Sequence, residues 1–241
     1  MLNTKRPIRT GIAIACLSGC LFTAIAVNAL VQGPLASLDT WVALDMRDAD
    51  QQGLIRTLMV ALTSLGSVVG MTLLCSCGVA WHVWRGRNHW RTAAGWAFVM
   101  LAGALLIFGA KELFQRARPP LDWRDPVAME TNPSFPSGHA MGATMGFGFL
   151  GYALCLGQNC RRRRFAIALL LGALVVGIGV SRIYLRAHWL SDVVAGFALG
   201  LAWLSLCIGF LAARKTDKET GRQGDKEIEI LADQILPEAI A

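Results

Sequence analysis

Apolar runs of about twenty residues recur six times along this chain, at roughly 11–31, 57–82, 92–110, 138–157, 165–181 and 190–213. A helix needs about 20 apolar residues to cross the hydrocarbon core of a bilayer, so each run reads as a membrane span. Composition agrees: the chain is 54% hydrophobic and 16% charged, against about 45–50% and 25% for a soluble domain. The expected fold is all-α, a polytopic membrane bundle of six transmembrane helices. Residues 1–213 form that single domain, and 214–241 follow as a flexible tail.

The formal charge of +7 does not indicate a nucleic-acid partner. Lys5, Arg6 and Arg9 precede the first run, Arg85, Arg87 and Arg91 lie between the second and third, Arg161–Arg164 between the fourth and fifth, and Arg214, Lys215 and Lys218 after the sixth. These are alternate loops, so they share one side of the membrane. The positive-inside rule makes it the cytoplasm, with both termini on it. Residues of about 32–56, 111–137 and 182–189 then face the exterior, the periplasm if the membrane is a bacterial inner membrane. Within 32–56, "DTWVALDMRDADQQGLIR" reads as a short amphipathic interfacial helix. All cysteines but Cys160 sit within apolar runs, and no disulfide or zinc spacing emerges. Gly138, Gly142 and Gly146 make a small-residue face suited to close helix packing.

Three polar clusters fall on the outer side. In "KELFQRARPP", Lys111 and Arg118 lie seven residues apart, about 10 Å along one helix face, and Pro119 and Pro120 stop the helix there. In "FPSGHAMG", Ser137 and Gly138 open a span, where free N–H groups favour an anion, and His139 follows. Ser137 also reads as an ordinary N-cap. In "SRIYLRAHWLSD", His188 and Asp192 are an i, i+4 pair, so on a helix the carboxylate orients one ring nitrogen and frees the other. Together the clusters offer three cations (Lys111, Arg118, Arg182), a helix N-terminus, two histidines and a carboxylate. Phosphoryl transfer calls for that set: charge neutralisation, a nucleophile and a leaving-group acid.

Lys111-x6-Arg118-Pro119, Pro136-Ser137-Gly138-His139 and Ser181-Arg182-x5-His188-x3-Asp192 together resemble the three-part signature of the type 2 phosphatidic acid phosphatase family, which is related to the vanadium haloperoxidases. The resemblance implies an active site at the extracytoplasmic membrane edge, with no metal or other cofactor. By it, Lys111, Arg118, Ser137, Gly138 and Arg182 bind the phosphate, His188 attacks phosphorus, His139 protonates the leaving oxygen, and Asp192 orients His188. Arg116 and Arg186 lie outside the signature and read as secondary or interfacial. The implied partner is a membrane lipid phosphate: undecaprenyl diphosphate, phosphatidate or phosphatidylglycerophosphate. A lipid phosphotransferase, or a non-catalytic lipid-binding or transport protein on the same scaffold, are the alternatives. The sequence carries no indication of oligomeric state.

Overall fold

The computed structural model describes residues 5–47, 53–84, 89–156 and 158–235. Those residues form helices and short turns with no strand. The helices are α1 (Lys5–Leu30), α2 (Leu35–Arg47), α3 (Leu54–Gly66), α4 (Val68–Trp84), α5 (His89–Phe114), α6 (Gly138–Cys155), α7 (Arg161–Tyr184) and α8 (Leu190–Ile235). Two 3-10 turns, Leu121–Trp123 and Pro126–Ala128, interrupt the loop between α5 and α6.

Among the described residues, four stretches are long and apolar enough to cross a membrane: Ile8–Leu30, Ala93–Phe114, Arg161–Tyr184 and Leu190–Ala212. The expected continuous span at 57–82 is instead broken, with α3 and α4 meeting at a bend of 70°. Ser67 makes the break. Its backbone is extended, and its hydroxyl accepts the Gly70 N–H at 3.1 Å, capping α4 as it starts. The expected span at 138–157 is helical as α6, but it is not among the four apolar stretches. Its sequence, GHAMGATMGFGFLGYALC, is diluted by glycine and His139. The helix is sheathed by α3, α4, α5, α7 and α8, so its surroundings are largely protein. Met145 and Phe149 pack with Val99 and Leu204 on one side. Ala143 and Phe147 pack with Met71 and Ile178 on the other. The outward faces of α5 and α7 remain apolar, with Leu101, Leu105, Phe108, Leu169 and Leu170 exposed, the arrangement a lipid solvent favours.

Two glycines that allow α8 to approach α6 closely are on α8 itself. A Cβ on Gly196 would lie 2.7 Å from the Ser137 carbonyl oxygen, and one on Gly200 would lie 3.0 Å from that of Met141. The stripe expected on α6 does not play this part at two of its positions. Gly142 has nothing within 4 Å of an added Cβ, and Gly138 has only Ile107 at 3.7 Å. The α8–α6 contact thus sets the height of Ser137, the residue that opens α6.

The C-terminal ends of α5 and α7 meet the N-terminal ends of α6 and α8 at one end of the bundle. Arg161–Arg164 begin α7, a full helix length from that end. α1 packs along α8, with Gly11 against Ser205 and Gly209, which puts its start at the same far end. Arg85 and Arg87 lie outside the described residues. α8 continues to Ile235, so 214–235 extend the helix where a flexible tail was expected. Residues 236–241 of that tail lie outside the described residues.

Candidate active site

The first cluster is built by a turn. α5 ends at Phe114, short of the prolines, so Lys111 and Arg118 do not share a helix face as the spacing suggests. Gln115 has φ of 43°, a left-handed value unusual for a residue with a side chain. Its amide stabilises the break by donating to the Glu112 carbonyl at 3.2 Å and the Glu112 carboxylate at 2.9 Å, one of the orphan acceptors at a helix end. The chain beyond runs beside residues 132–134: Ser134 N–H donates to Arg116 O at 2.8 Å, and Arg118 Nε donates to Asn132 O at 2.7 Å. Lys111, in the last turn of α5, donates to Pro133 O and lies 3.5 Å from Asn132 Oδ1.

The second cluster opens α6. Ser137 is fully buried and caps the helix, its hydroxyl 3.5 Å from the Ala140 N–H. Its own N–H is taken by Asp192 O at 3.0 Å. Gly138 is the first helical residue. His139 follows with Cδ2 3.4 Å from where a Cβ on Gly66 would stand. The charges of Arg182, Glu130, Arg118 and Lys111 all act on it.

The third cluster depends on how α7 ends. Arg186 N–H donates to Ile183 O at 2.9 Å and Ala187 N–H to Arg182 O at 3.0 Å. This is a Schellman ending, in which glycine usually holds the left-handed position. Here Arg186 holds it, with φ of 53°. Its guanidinium donates to Trp123 O and to Met46 O at 2.6 Å. Arg186 is thus a buried anchor, not an interfacial residue. The reversal delivers His188 ahead of α8 rather than on it, so His188 and Asp192 are not an i, i+4 pair on a helix face. Asp192 sits in the first turn and accepts the Trp189 N–H at 3.0 Å, half of a capping box. Its Oδ2 is 3.5 Å from His188 Nδ1. The Ser134 hydroxyl bridges them, 3.3 Å from Nδ1 and donating to Asp192. With Nδ1–H turned to Ser134, the Nε2 lone pair is left facing Arg118.

Two residues that sequence reasoning did not place here complete this layer. Arg116 Nη1 binds Asp192 Oδ1 at 2.5 Å and Ser191 Oγ at 2.7 Å, while Nη2 binds Asp39 Oδ2 at 2.7 Å. Asp39 also accepts the Ser191 N–H at 2.8 Å. It comes from α2, the expected amphipathic helix, whose Leu38, Trp41 and Leu44 are exposed while Asp39 is buried. An apolar outside and a carboxylate inside suit a helix lying against lipid. Burial lowers the Arg116 pKa, but Asp192 and Asp39 outweigh it and hold the guanidinium firmly charged.

The space before His188 Nε2 is cationic. Arg118 Nη1 lies 3.2 Å from Nε2 and donates to Ala187 O at 2.7 Å. Arg182, 1% exposed, donates to Thr63 Oγ1 on α3 at 2.7 Å and to Glu130. Burial first, and then the charges of Arg118, Arg182 and Lys111, push His188 well below the usual imidazole range, so it stands neutral beside three cations. The loop carrying Glu130 is itself pinned. Asp125 pairs with Arg56 at 2.7 Å, caps Val127 N–H at 3.0 Å, and donates its own N–H to Leu185 O at 3.2 Å. Among the described residues, no three His, Cys, Asp or Glu side chains converge as a metal ion would need. A neutral imidazole facing guanidinium and ammonium groups, with a second histidine in the same field, can perform nucleophilic displacement at an oxyanion.

The sequence and the fold both have relatives. Residues 92–215 match a family model described as the PAP2 superfamily. The chain is 34% identical over 115 residues to phosphatidylglycerophosphatase B of Bacillus subtilis, covering 44% of this chain and 55% of that protein. Lipid A 1-phosphatase of Rhizobium johnstonii is 38% identical over 81 residues, 34% of this chain and 29% of its own length. Decaprenylphosphoryl-5-phosphoribose phosphatase of Mycobacterium tuberculosis is 32% identical over 176 residues, 70% of this chain and 87% of that one. This chain therefore spans about half of the first relative and under a third of the second. The fold is similar to the crystal structure of a transmembrane PAP2 type phosphatidylglycerolphosphate phosphatase from Bacillus subtilis, with a TM-score of 0.68 and 25% identity over 86% of this chain and 96% of that one. With residues of the first and third motifs gathered about one imidazole, the second motif tied to them through Ser137 N–H and Asp192 O, and these relatives beside it, the chain is a member of the PAP2 superfamily.

Proposed function

We propose that this protein is an integral-membrane lipid phosphatase. It hydrolyses the phosphate monoester or diphosphate of a membrane lipid through a phosphohistidine intermediate, without a metal ion. The observation that carries the reading is the 3.2 Å approach of Arg118 Nη1 to His188 Nε2. The nitrogen left free by the Ser134–Asp192 side faces the groups that would hold a phosphate. His188 Nε2 attacks phosphorus in line, forming the P–N bond as the P–O bond to the lipid breaks. His139 gives its proton to the departing oxygen. Water then attacks phosphorus, the P–N bond breaks, and His139 recovers a proton from that water. Lys111, Arg118 and Arg182 offset the charge on the equatorial oxygens, with Ser137 and the Gly138 amide at the α6 N-terminus.

The basic residues gathered at the far end of the bundle support a cytoplasmic placing of that end, with six crossings and the site at the outer membrane edge. An outward site suits a lipid whose phosphate is removed on that face, undecaprenyl diphosphate first, with phosphatidate and phosphatidylglycerophosphate as further candidates. The test is phosphate release from a panel of these purified lipids in detergent with excess EDTA, followed by rapid-quench trapping. Release without metal, and an acid-labile phosphohistidine lost in His188→Ala, are expected. A strict magnesium requirement would reject the mechanism. A phosphoenzyme retained in His188→Ala and lost in His139→Ala would exchange the two roles. Phosphate passed to an added acceptor lipid rather than water would make the protein a phosphotransferase. Labelling of Asp122→Cys by an impermeant thiol reagent in intact cells, in a background without native cysteines, tests the orientation.

A further inference from the structure

In the free chain a carboxylate of the protein sits on the groups that would hold the substrate phosphate. Glu130 Oε1 pairs with Arg182 Nη2, and its Oε2 lies 3.5 Å from Arg118 Nη1, the same nitrogen that approaches His188 Nε2. The fit is incomplete. Glu130 Oε2 and Arg182 Nε are both buried without a hydrogen-bond partner. A planar carboxylate cannot meet all the donors of two guanidinium groups and Lys111, whereas a tetrahedral oxyanion brings a third acceptor. The next cation along the loop is also incompletely used. Arg124 donates Nη1 to the Glu130 carbonyl at 3.0 Å, and its Nε is buried and unpartnered.

We propose that Glu130 is a specificity-determining residue, a resident counter-ion that a doubly charged phosphate monoester or diphosphate displaces and a singly charged phosphodiester does not. The proposal rests on the phosphatase reading above. A bilayer surrounds this site with phosphodiester lipids, each carrying one negative charge on a phosphate much like that of the substrate. A bare cradle of three cations would fill with them. Exchange of Glu130 for a phosphodiester trades one negative charge for another, and the tethered carboxylate loses less freedom on binding than a separate lipid does. A dianion brings a second charge, which Lys111 meets. Glu130 then moves the short distance to Arg124, whose free Nε–H takes the released carboxylate.

The experiment is inhibition of phosphatidate hydrolysis in mixed micelles by two probes, phosphatidylglycerol as the monoanionic diester and inorganic phosphate. In Glu130→Gln, phosphatidylglycerol is expected to become a competitive inhibitor with Ki at least roughly tenfold lower than in the native protein, the scale of one lost charge-assisted contact. The Ki for phosphate and the KM for phosphatidate should fall with it. An unchanged Ki for phosphatidylglycerol, or a raised KM from loss of a merely structural support for Arg182, would overturn the proposal. A second measurement needs no variant: a non-hydrolysable phosphonate analogue of phosphatidate should inhibit the native protein at least about tenfold more strongly than phosphatidylglycerol. Equal inhibition by the two would also overturn it. Failure of the underlying phosphatase reading looks different, as absence of phosphate release by the native protein from every lipid phosphate tested.

Discussion

Replacing Arg116 by glutamine tests whether the layer behind the proposed nucleophile matters as much as its geometry implies. Arg116 bridges two carboxylates that are 2% and 0% exposed, and is itself only 17% exposed. One positive charge is thus shared between two buried negative ones, with the Ser134 and Ser191 hydroxyls and the Ser191 and Trp189 N–H groups supplying the remaining donors. Glutamine keeps a donor but removes the charge. Loss of one partner from a buried ion pair costs about 3–5 kcal/mol, a large share of the ~5–15 kcal/mol typical of a folded protein. Asp192 would then take up a proton or turn away, and His188 would lose its orienting carboxylate, a loss of about 10²–10⁴-fold in turnover where such pairs have been broken. The double variant Arg116→Gln/Asp39→Asn separates the two effects. It removes one of the unpaired charges, so it should recover part of the thermal stability in detergent without recovering turnover. The measurements are unfolding followed by tryptophan fluorescence and phosphate release from one lipid phosphate. Stability within about 1 kcal/mol of the native protein, together with turnover within about threefold, would refute the reasoning.

Three further outcomes follow from the same geometry. Ser134→Ala should lower kcat about tenfold, the scale of one hydrogen bond to a charged group, with KM nearly unchanged; a fall confined to KM would deny Ser134 its place between His188 and Asp192. The depressed pKa of His188 keeps the proposed nucleophile neutral as pH falls, so the acid limb of kcat/KM should lie well below the ordinary imidazole value of about 6.5. Arg118→Gln, by removing the nearest charge, should move that limb upward, and a native limb at or above about 6.5 would contradict the burial. Gly196→Ala places a Cβ 2.7 Å from the Ser137 carbonyl and should destabilise by about 1–3 kcal/mol as α8 is pushed from α6; an unchanged melting temperature would mean that the two helices are not held at that distance.

The all-helical fold and four of the apolar stretches, with the polar clusters between them, were legible because apolar length and local spacing are properties of short stretches. What stayed hidden depends on partners distant in the chain or on backbone geometry that residue type does not encode. Gln115 and Arg186 adopt left-handed φ without being glycine, so neither the early end of α5 nor the reversal before His188 could be read. The His188–Asp192 spacing suggested the right pair for the wrong reason, since a Schellman ending and a capping box bring them together rather than a shared helix face. Ser134 is one polar residue among several in its loop, and Asp39 one acid on an amphipathic helix; their partners lie more than 50 residues away. The glycine stripe misled because both α6 and α8 carry glycines four residues apart, and the pattern does not say which face meets a neighbour.

The bond between Asp39 and Ser191 also has a history in time. The two residues are separated by 152 positions, which at about 5–20 residues per second is roughly 8–30 s of synthesis. Throughout that interval the first quarter of the chain already holds Asp39, while Arg116 arrives partway and α8 not at all. Until then Asp39 lacks the setting that makes its burial tolerable, and it must stay in the wet headgroup layer. The nascent protein can therefore insert its first helices long before it can close the proposed active site. The segment matched by the family model, residues 92–215, contains every signature residue yet lacks Asp39, Arg56 and Thr63. Synthesised alone, that segment would bring the histidines to the membrane without the struts that aim them.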